Sequence, residues 1–133
     1  MPRLSRRAVL IVGFVIGLGL WLVPAEFMNQ SEPWDGNGPA YPLALVICGM
    51  VLGFLGPGRP GAVVTGIFLG QLAVLIWRVV TSPENSELWL IGVVMLAGYT
   101  FVAAGIGAMV GSLLRRRLHP DAGAERRVSD RRL

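Results

Sequence analysis

The sequence has almost none of the residues from which hydrolytic, redox and metal chemistry are built. Its 133 residues include one cysteine, Cys48, and one histidine, His119. A lone thiol excludes an intrachain disulfide, a paired-thiol redox motif and a multi-cysteine metal site. A lone histidine beyond the last apolar segment excludes haem held by two histidines of one chain, and it leaves no histidine cluster for zinc. Ser112 is the only serine inside an apolar segment. No histidine or carboxylate reaches it from its neighbourhood in the chain, so a nucleophile with its base and oxyanion donors cannot be assembled there. The sequence therefore predicts no catalytic residue, no metal and no cofactor.

Charge is scarce as well. Charged residues make up 15% of the chain, where soluble domains carry about a quarter. All twelve basic residues are arginine, and lysine is absent. The net charge of +4 and the isoelectric point near 10.6 would suit nucleic acid. Arginines that flank apolar segments are explained more simply by the anionic head groups of a cytoplasmic leaflet, so no nucleic-acid partner is expected.

What the chain does have is apolar sequence, 53% of its residues with a mean hydropathy of +0.61. It arrives in four nearly uninterrupted blocks, whereas a soluble core threads apolar residues with polar ones at helical or strand period. The predicted fold is an all-α membrane protein, a four-span transmembrane helical bundle with short hairpin loops. Spans at about 8–28, 41–56, 61–81 and 88–114 form a domain of residues 1–117, and residues 118–133 form a disordered basic cytoplasmic tail.

Breakers separate the blocks. The stretch from Glu26 to Ala40 collects proline, glycine, asparagine and acidic residues, a composition of turns. Pro57-Gly58-Arg59-Pro60-Gly61 combines two prolines that cannot donate a helical hydrogen bond with glycines that favour a turn. Ser82 to Glu87 is a short polar connection. The first block, led by Arg3, Arg6 and Arg7, also has the layout of a secretory signal peptide with Val23-Pro24-Ala25 where cleavage would fall. Pro24 is awkward at such a site, and a membrane span is the preferred reading.

Orientation follows from the arginines, because short loops rich in them stay in the cytoplasm. Placing both termini inside leaves only Arg78 outside, opposite Glu26, Glu32, Asp35, Glu84 and Glu87. This is the arrangement of an integral membrane protein of a plasma membrane such as the inner membrane of a bacterium. Trp21, Trp77 and Trp89 fall near the outer interface, where an aromatic belt is expected.

Lipid supplies no hydrophobic drive for helix pairing, so helices associate where small residues let backbones approach. Each block has such a pair: Gly13 and Gly17, Gly49 and Gly53, Gly66 and Gly70, Gly107 and Gly111. They predict close packing within the bundle, with sequence neighbours antiparallel because the connections are short. Apart from this glycine spacing, no internal repeat relates the two halves.

The remaining candidates are polar. Gln71, near the middle of the third block, is the most polar side chain in any span, and its amide must be satisfied by protein. Thr100, Tyr99 and Thr65 are the candidates to clasp it or to line a pathway with it. Arg78 is a candidate for an outer ion pair with Glu84, Glu87 or Glu26. Trp34, Asp35, Asn37 and Tyr41 form a candidate partner-docking loop, in which a lone Asp35 brings too few hard ligands for calcium. The spans have no ionisable residue near their middles, where one costs about 2.5–3.5 kcal/mol and usually marks a pathway. Proton relays, voltage sensors and carboxylate-driven exporters therefore lack their groups. The chain does not resemble the fluoride channels, since Asn29, Asn37 and Asn85 all lie in loops. Nor does it resemble the small multidrug exporters, since Glu26 lies past Pro24 at the edge of the first span.

By elimination the expected role is a noncatalytic accessory or scaffold subunit of a membrane complex. It would associate with the lipid bilayer, with anionic head groups at the cytoplasmic arginines, and with an integral membrane partner or a second copy of itself. The alternative is a small homo-oligomeric channel or transporter with an uncharged pathway. An enzyme acting on lipid would need Glu26, Asp35, Arg78 and Glu84 to converge at the outer surface, and is the weakest of the three.

Overall fold

The computed structural model describes residues 4–27, 39–56, 58–81 and 89–118. It is a bundle of four helices with no strand among the described residues. The helices are α1 (Arg6–Phe27), α2 (Ala40–Leu55), α3 (Pro60–Thr81) and α4 (Trp89–Leu118). Three of them, α1, α3 and α4, are long and apolar, while α2 has 16 residues. The predicted blocks agree with these helices to within a few residues. Leu118, predicted to open the tail, instead closes α4, and the rest of the predicted tail, 119–133, lies outside the described residues, as do the connections at 28–38 and 82–88.

Local chemistry sets the helix ends. The hydroxyl of Ser5 accepts the Ala8 N–H at 3.1 Å and the Ser5 carbonyl accepts that of Val9, which caps α1. Helix α2 stops at Gly56, whose N–H returns to the Leu52 carbonyl at 2.8 Å. Gly58 then takes φ +80°, a left-handed conformation that glycine adopts without a Cβ penalty. Pro60 opens α3, where its missing N–H costs nothing. Within α4, residues Thr100–Ala104 form a π-helical segment, a local widening that nothing in the sequence pattern announces.

The tight pairs are not sequence neighbours. Gly13 and Gly17 of α1 face Gly66 and Gly70 of α3 so closely that a methyl at Gly13 would stand 3.2 Å from the Gly66 Cα. Gly49 and Gly53 of α2 press on Ala104 and Ala108 of α4, while Gly107 and Gly111 press back on the Val46–Met50 and Met50–Phe54 backbone. In both pairs residue numbers rise together, so α1 runs parallel to α3 and α2 runs parallel to α4. The expected antiparallel direction of sequence neighbours joined by short connections is present, but only α3 and α4 pack closely as such a pair: α2 touches α3 and α1 only lightly. Around the bundle the order is α1, α3, α4, α2. The physical reason is that glycine pairs permit the closest backbone approach, and that gain outweighs the convenience of a short connection.

One end of the bundle is tied together by backbone carbonyls. The Leu4 N–H donates to the Leu55 carbonyl at 3.2 Å, and Arg59 Nη1 donates to the Leu4 carbonyl at 2.8 Å. Arg115 Nη1 donates to the carbonyls of Phe54 and Leu55 at 2.8 and 3.1 Å, with its guanidinium over the Phe54 ring. The start of α1, the end of α2, the start of α3 and the end of α4 therefore meet at this end.

The interior divides into two apolar clusters. One gathers Val9, Leu45, Leu52, Val63, Ile67 and Ala104 with their neighbours near the tied end. The other is built on Trp21, Val74, Leu75 and Leu96 in the opposite half. Trp21 is only 1% exposed, so it is a core residue and not part of an interfacial belt. Trp77 and Trp89 do lie on the outer surface.

Candidate functional site

Between the two clusters lies a polar layer centred on Gln71. The residue is fully buried, and its Oε1 accepts hydrogen bonds from Tyr41 OH at 3.1 Å and Thr100 Oγ1 at 2.9 Å. Three elements build this layer. Gln71 follows Gly70 on α3, so its position is held by the closest backbone approach to α1. Thr100 is the first residue of the π segment of α4, and Tyr41 occupies the first turn of α2. The register that sets Gly49 and Gly53 against Ala104 and Ala108 also brings Tyr41 beside Tyr99. Their rings meet edge to face with centroids 5.7 Å apart.

The amide is used unevenly. Its oxygen takes two donors, whereas Nε2 has no hydrogen-bond partner among the described residues. Turning the amide over would put Nε2 between two hydroxyls and leave the oxygen unmatched, so each orientation leaves one polar atom over. The cost of the layer is set against a gain in register, since sliding either parallel pair by one turn would separate Gln71 from both hydroxyls.

The predicted candidates are redistributed by the structure. Gln71 and Thr100 come together. Tyr99 is half-buried and meets Tyr41 through its ring. Thr65 is exposed on the outer face of α3, six residues and nearly two turns from Gln71, so it belongs neither to the clasp nor to a pathway through it. Tyr41, read from sequence as part of a docking loop, is instead buried inside α2 and bonded to Gln71. The reason is that α2 begins at Ala40, with Pro42 tolerated in its first turn. Trp34, Asp35, Asn37, Glu84 and Glu87 lie outside the described residues, as does the side chain of Glu26. Arg78 is half-buried in the last turn of α3.

Two further polar residues acquire roles that the sequence did not reveal. Ser112 donates to the Gly53 carbonyl at 3.3 Å, reaching across to α2 at the point where glycine brings the backbones together. Arg115, the first of three consecutive arginines, is 7% exposed and caps the C-terminal carbonyls of α2. A positive group there satisfies orphan acceptors and opposes the negative end of the helix dipole. Among the described residues no three of histidine, cysteine, aspartate and glutamate stand together.

An open apolar depression lies between the far halves of α3 and α4, lined by Leu72, Leu75, Val79, Trp89 and Val93 among others. It presents no polar group, so it offers a ligand contact area without orientation. Comparison of the chain with protein-family models, with curated proteins and with solved structures finds no match.

Proposed function

We propose that the chain is an integral membrane protein whose four helices cross a bilayer with both ends in the cytoplasm, and that it serves without catalysis as an accessory or scaffold subunit of a membrane complex. The observation that carries this reading is the apolar exterior of the bundle, with its few described polar side chains of the helix middles turned inward. Gln71, Thr100, Ser112 and Arg115 are buried, while large apolar side chains cover the outside, including Val80 at 72%, Val94 at 65% and Ile11 at 63% exposure. Water would penalise such a surface heavily, whereas hydrocarbon accepts it and requires the buried polar groups to be satisfied within the protein. At 1.5 Å per residue α2 reaches about 24 Å, short of a hydrocarbon core of about 30 Å, a mismatch that costs a fraction of a kcal/mol per Å.

A packing role fits the interior better than a conducting one. The clasp is sealed from solvent and Thr65 faces away from it. The unmatched Nε2 of Gln71 is the one observation that favours the second reading, an oligomeric channel with an uncharged pathway. Purification of the tagged chain at native abundance in mild detergent, with mass spectrometry of the eluate, separates the two. A stoichiometric integral membrane partner supports the subunit reading. Elution as a defined homo-oligomer that conducts solute in liposomes, with flux altered by Gln71→Leu, replaces it with the channel.

A further inference from the structure

The tied end of the bundle carries six described arginines of two kinds. Arg115 is buried and spends its Nη1 on the carbonyls of α2. Arg6, Arg7, Arg59, Arg116 and Arg117 are exposed, and none of them forms an ion pair with a described residue. Arg59 uses one Nη1 donor on the Leu4 carbonyl, and the rest of its fork meets no partner among the described residues. The sequence has no carboxylate between Asp35 and Glu84, and none between Glu87 and Asp121. The helices at this end therefore supply no anion of their own. The close approach of Gly13 and Gly66 sets the N-termini of α1 and α3 side by side, but the C-termini of α2 and α4 share this end and offset their dipoles, so the arginine side chains carry its positive charge.

Next to these arginines along the helices stand exposed apolar side chains, Ile11 on α1 and Leu113, Leu114 and Leu118 on α4. A cationic rim joined directly to an apolar belt matches a phosphate head group with acyl chains beside it. Inorganic phosphate would use the rim alone, and a nucleic acid would leave the belt in water. Resting on the membrane reading above, we infer that this rim is a docking surface for anionic phospholipid. The lipid phosphates are held by Arg6, Arg7, Arg59, Arg116 and Arg117, while Arg115 and the carbonyl tie form the rigid base beneath. Guanidinium suits this task because its planar fork meets two phosphate oxygens at once.

The full chain, purified in mild detergent and stripped of lipid, is offered phosphatidylglycerol and phosphatidylcholine of matched acyl chains, and bound lipid is counted by native mass spectrometry. An attraction of about five-fold per arginine near a phosphate predicts retention of phosphatidylglycerol over phosphatidylcholine by at least about ten-fold. The combined variant Arg6→Gln, Arg7→Gln, Arg116→Gln and Arg117→Gln keeps the structural bonds of Arg59 and Arg115. It is expected to melt as the parent does and to lower the preference to no more than the roughly five-fold that Arg59 alone would leave. Arg78→Gln, at the opposite end, keeps the preference, and millimolar inorganic phosphate does not displace the lipid. Equal retention of the two lipids, or a preference that survives the four substitutions, overturns the inference. Displacement by inorganic phosphate reassigns the rim to a soluble anion and overturns it as well. Extraction of the chain from membranes by alkaline carbonate would remove the membrane reading itself, an outcome distinct from the loss of lipid preference in a chain that stays embedded.

Discussion

Gly111→Ala tests the packing argument most directly. A methyl at Gly111 would overlap the Met50 carbonyl oxygen and stand 2.8 Å from both the Met50 carbonyl carbon and the Phe54 nitrogen, where ordinary contact begins at 3.4 Å. These are backbone atoms, so no side-chain rotation relieves the clash, and α2 and α4 must part. A gap of 0.5–1 Å forfeits roughly a quarter to a half of the dispersion attraction at each contact it opens. It would also weaken the Ser112 bond to the Gly53 carbonyl, made at 3.3 Å one position away. Overpacking of this kind costs about 1–3 kcal/mol. The control is Gly19→Ala on α1, where a methyl meets nothing within 4 Å and the higher helix propensity of alanine should leave stability unchanged or slightly raised. Both variants are purified in mild detergent, and their unfolding by increasing sodium dodecyl sulfate is followed by tryptophan fluorescence, to which buried Trp21 contributes. A midpoint for Gly111→Ala equal to that of Gly19→Ala would refute the claim that this glycine holds α2 and α4 within one chain.

Three further outcomes follow from the same contacts. Gln71→Leu leaves the hydroxyls of Tyr41 and Thr100 without their shared acceptor and should cost about 1–2 kcal/mol in the same unfolding assay. A double-mutant cycle with Tyr41→Phe should return a coupling of about 0.6 kcal/mol, and zero coupling would show that the bond is not made. Arg115→Met strips the cap from α2 and should destabilise by about 1–3 kcal/mol, with Arg115→Lys recovering only part because an ammonium cannot lay a planar guanidinium over the Phe54 ring. Thr65→Val, on the exposed face of α3, should change the midpoint by less than about 0.5 kcal/mol; a large loss would return Thr65 to the interior.

Much of the candidate layer could be anticipated. Gln71 stands out because an amide amid apolar residues must find a partner, and Thr100 was among the few groups able to provide one. Tyr41 was placed at the start of the second span yet grouped with the loop before it, because the position of a residue at a helix start does not say which way its side chain turns. Arg115 was hidden in a run of three arginines whose members look alike in sequence. Only the azimuth of α4, altered by the π segment, determines which of the three turns inward. Thr65 and Trp21 were assigned by depth along their helices alone, and depth says nothing about which face a side chain occupies.

The apolar blocks, their breakers and the glycine spacing were decided locally, since helix length, proline and glycine conformations and the lack of ionisable groups depend on neighbours in the chain. Those features were sufficient for four helices and for the places where backbones can approach. They could not say which helix approaches which, because a glycine pair is equally receptive to any small-residue face. The parallel pairing of α1 with α3 and of α2 with α4 was decided by the mutual fit of whole faces. With it came the meeting of Tyr41, Gln71 and Thr100 and the burial of Arg115 against the end of α2, contacts between residues 29 to 61 positions apart that exist only once the helices are in register.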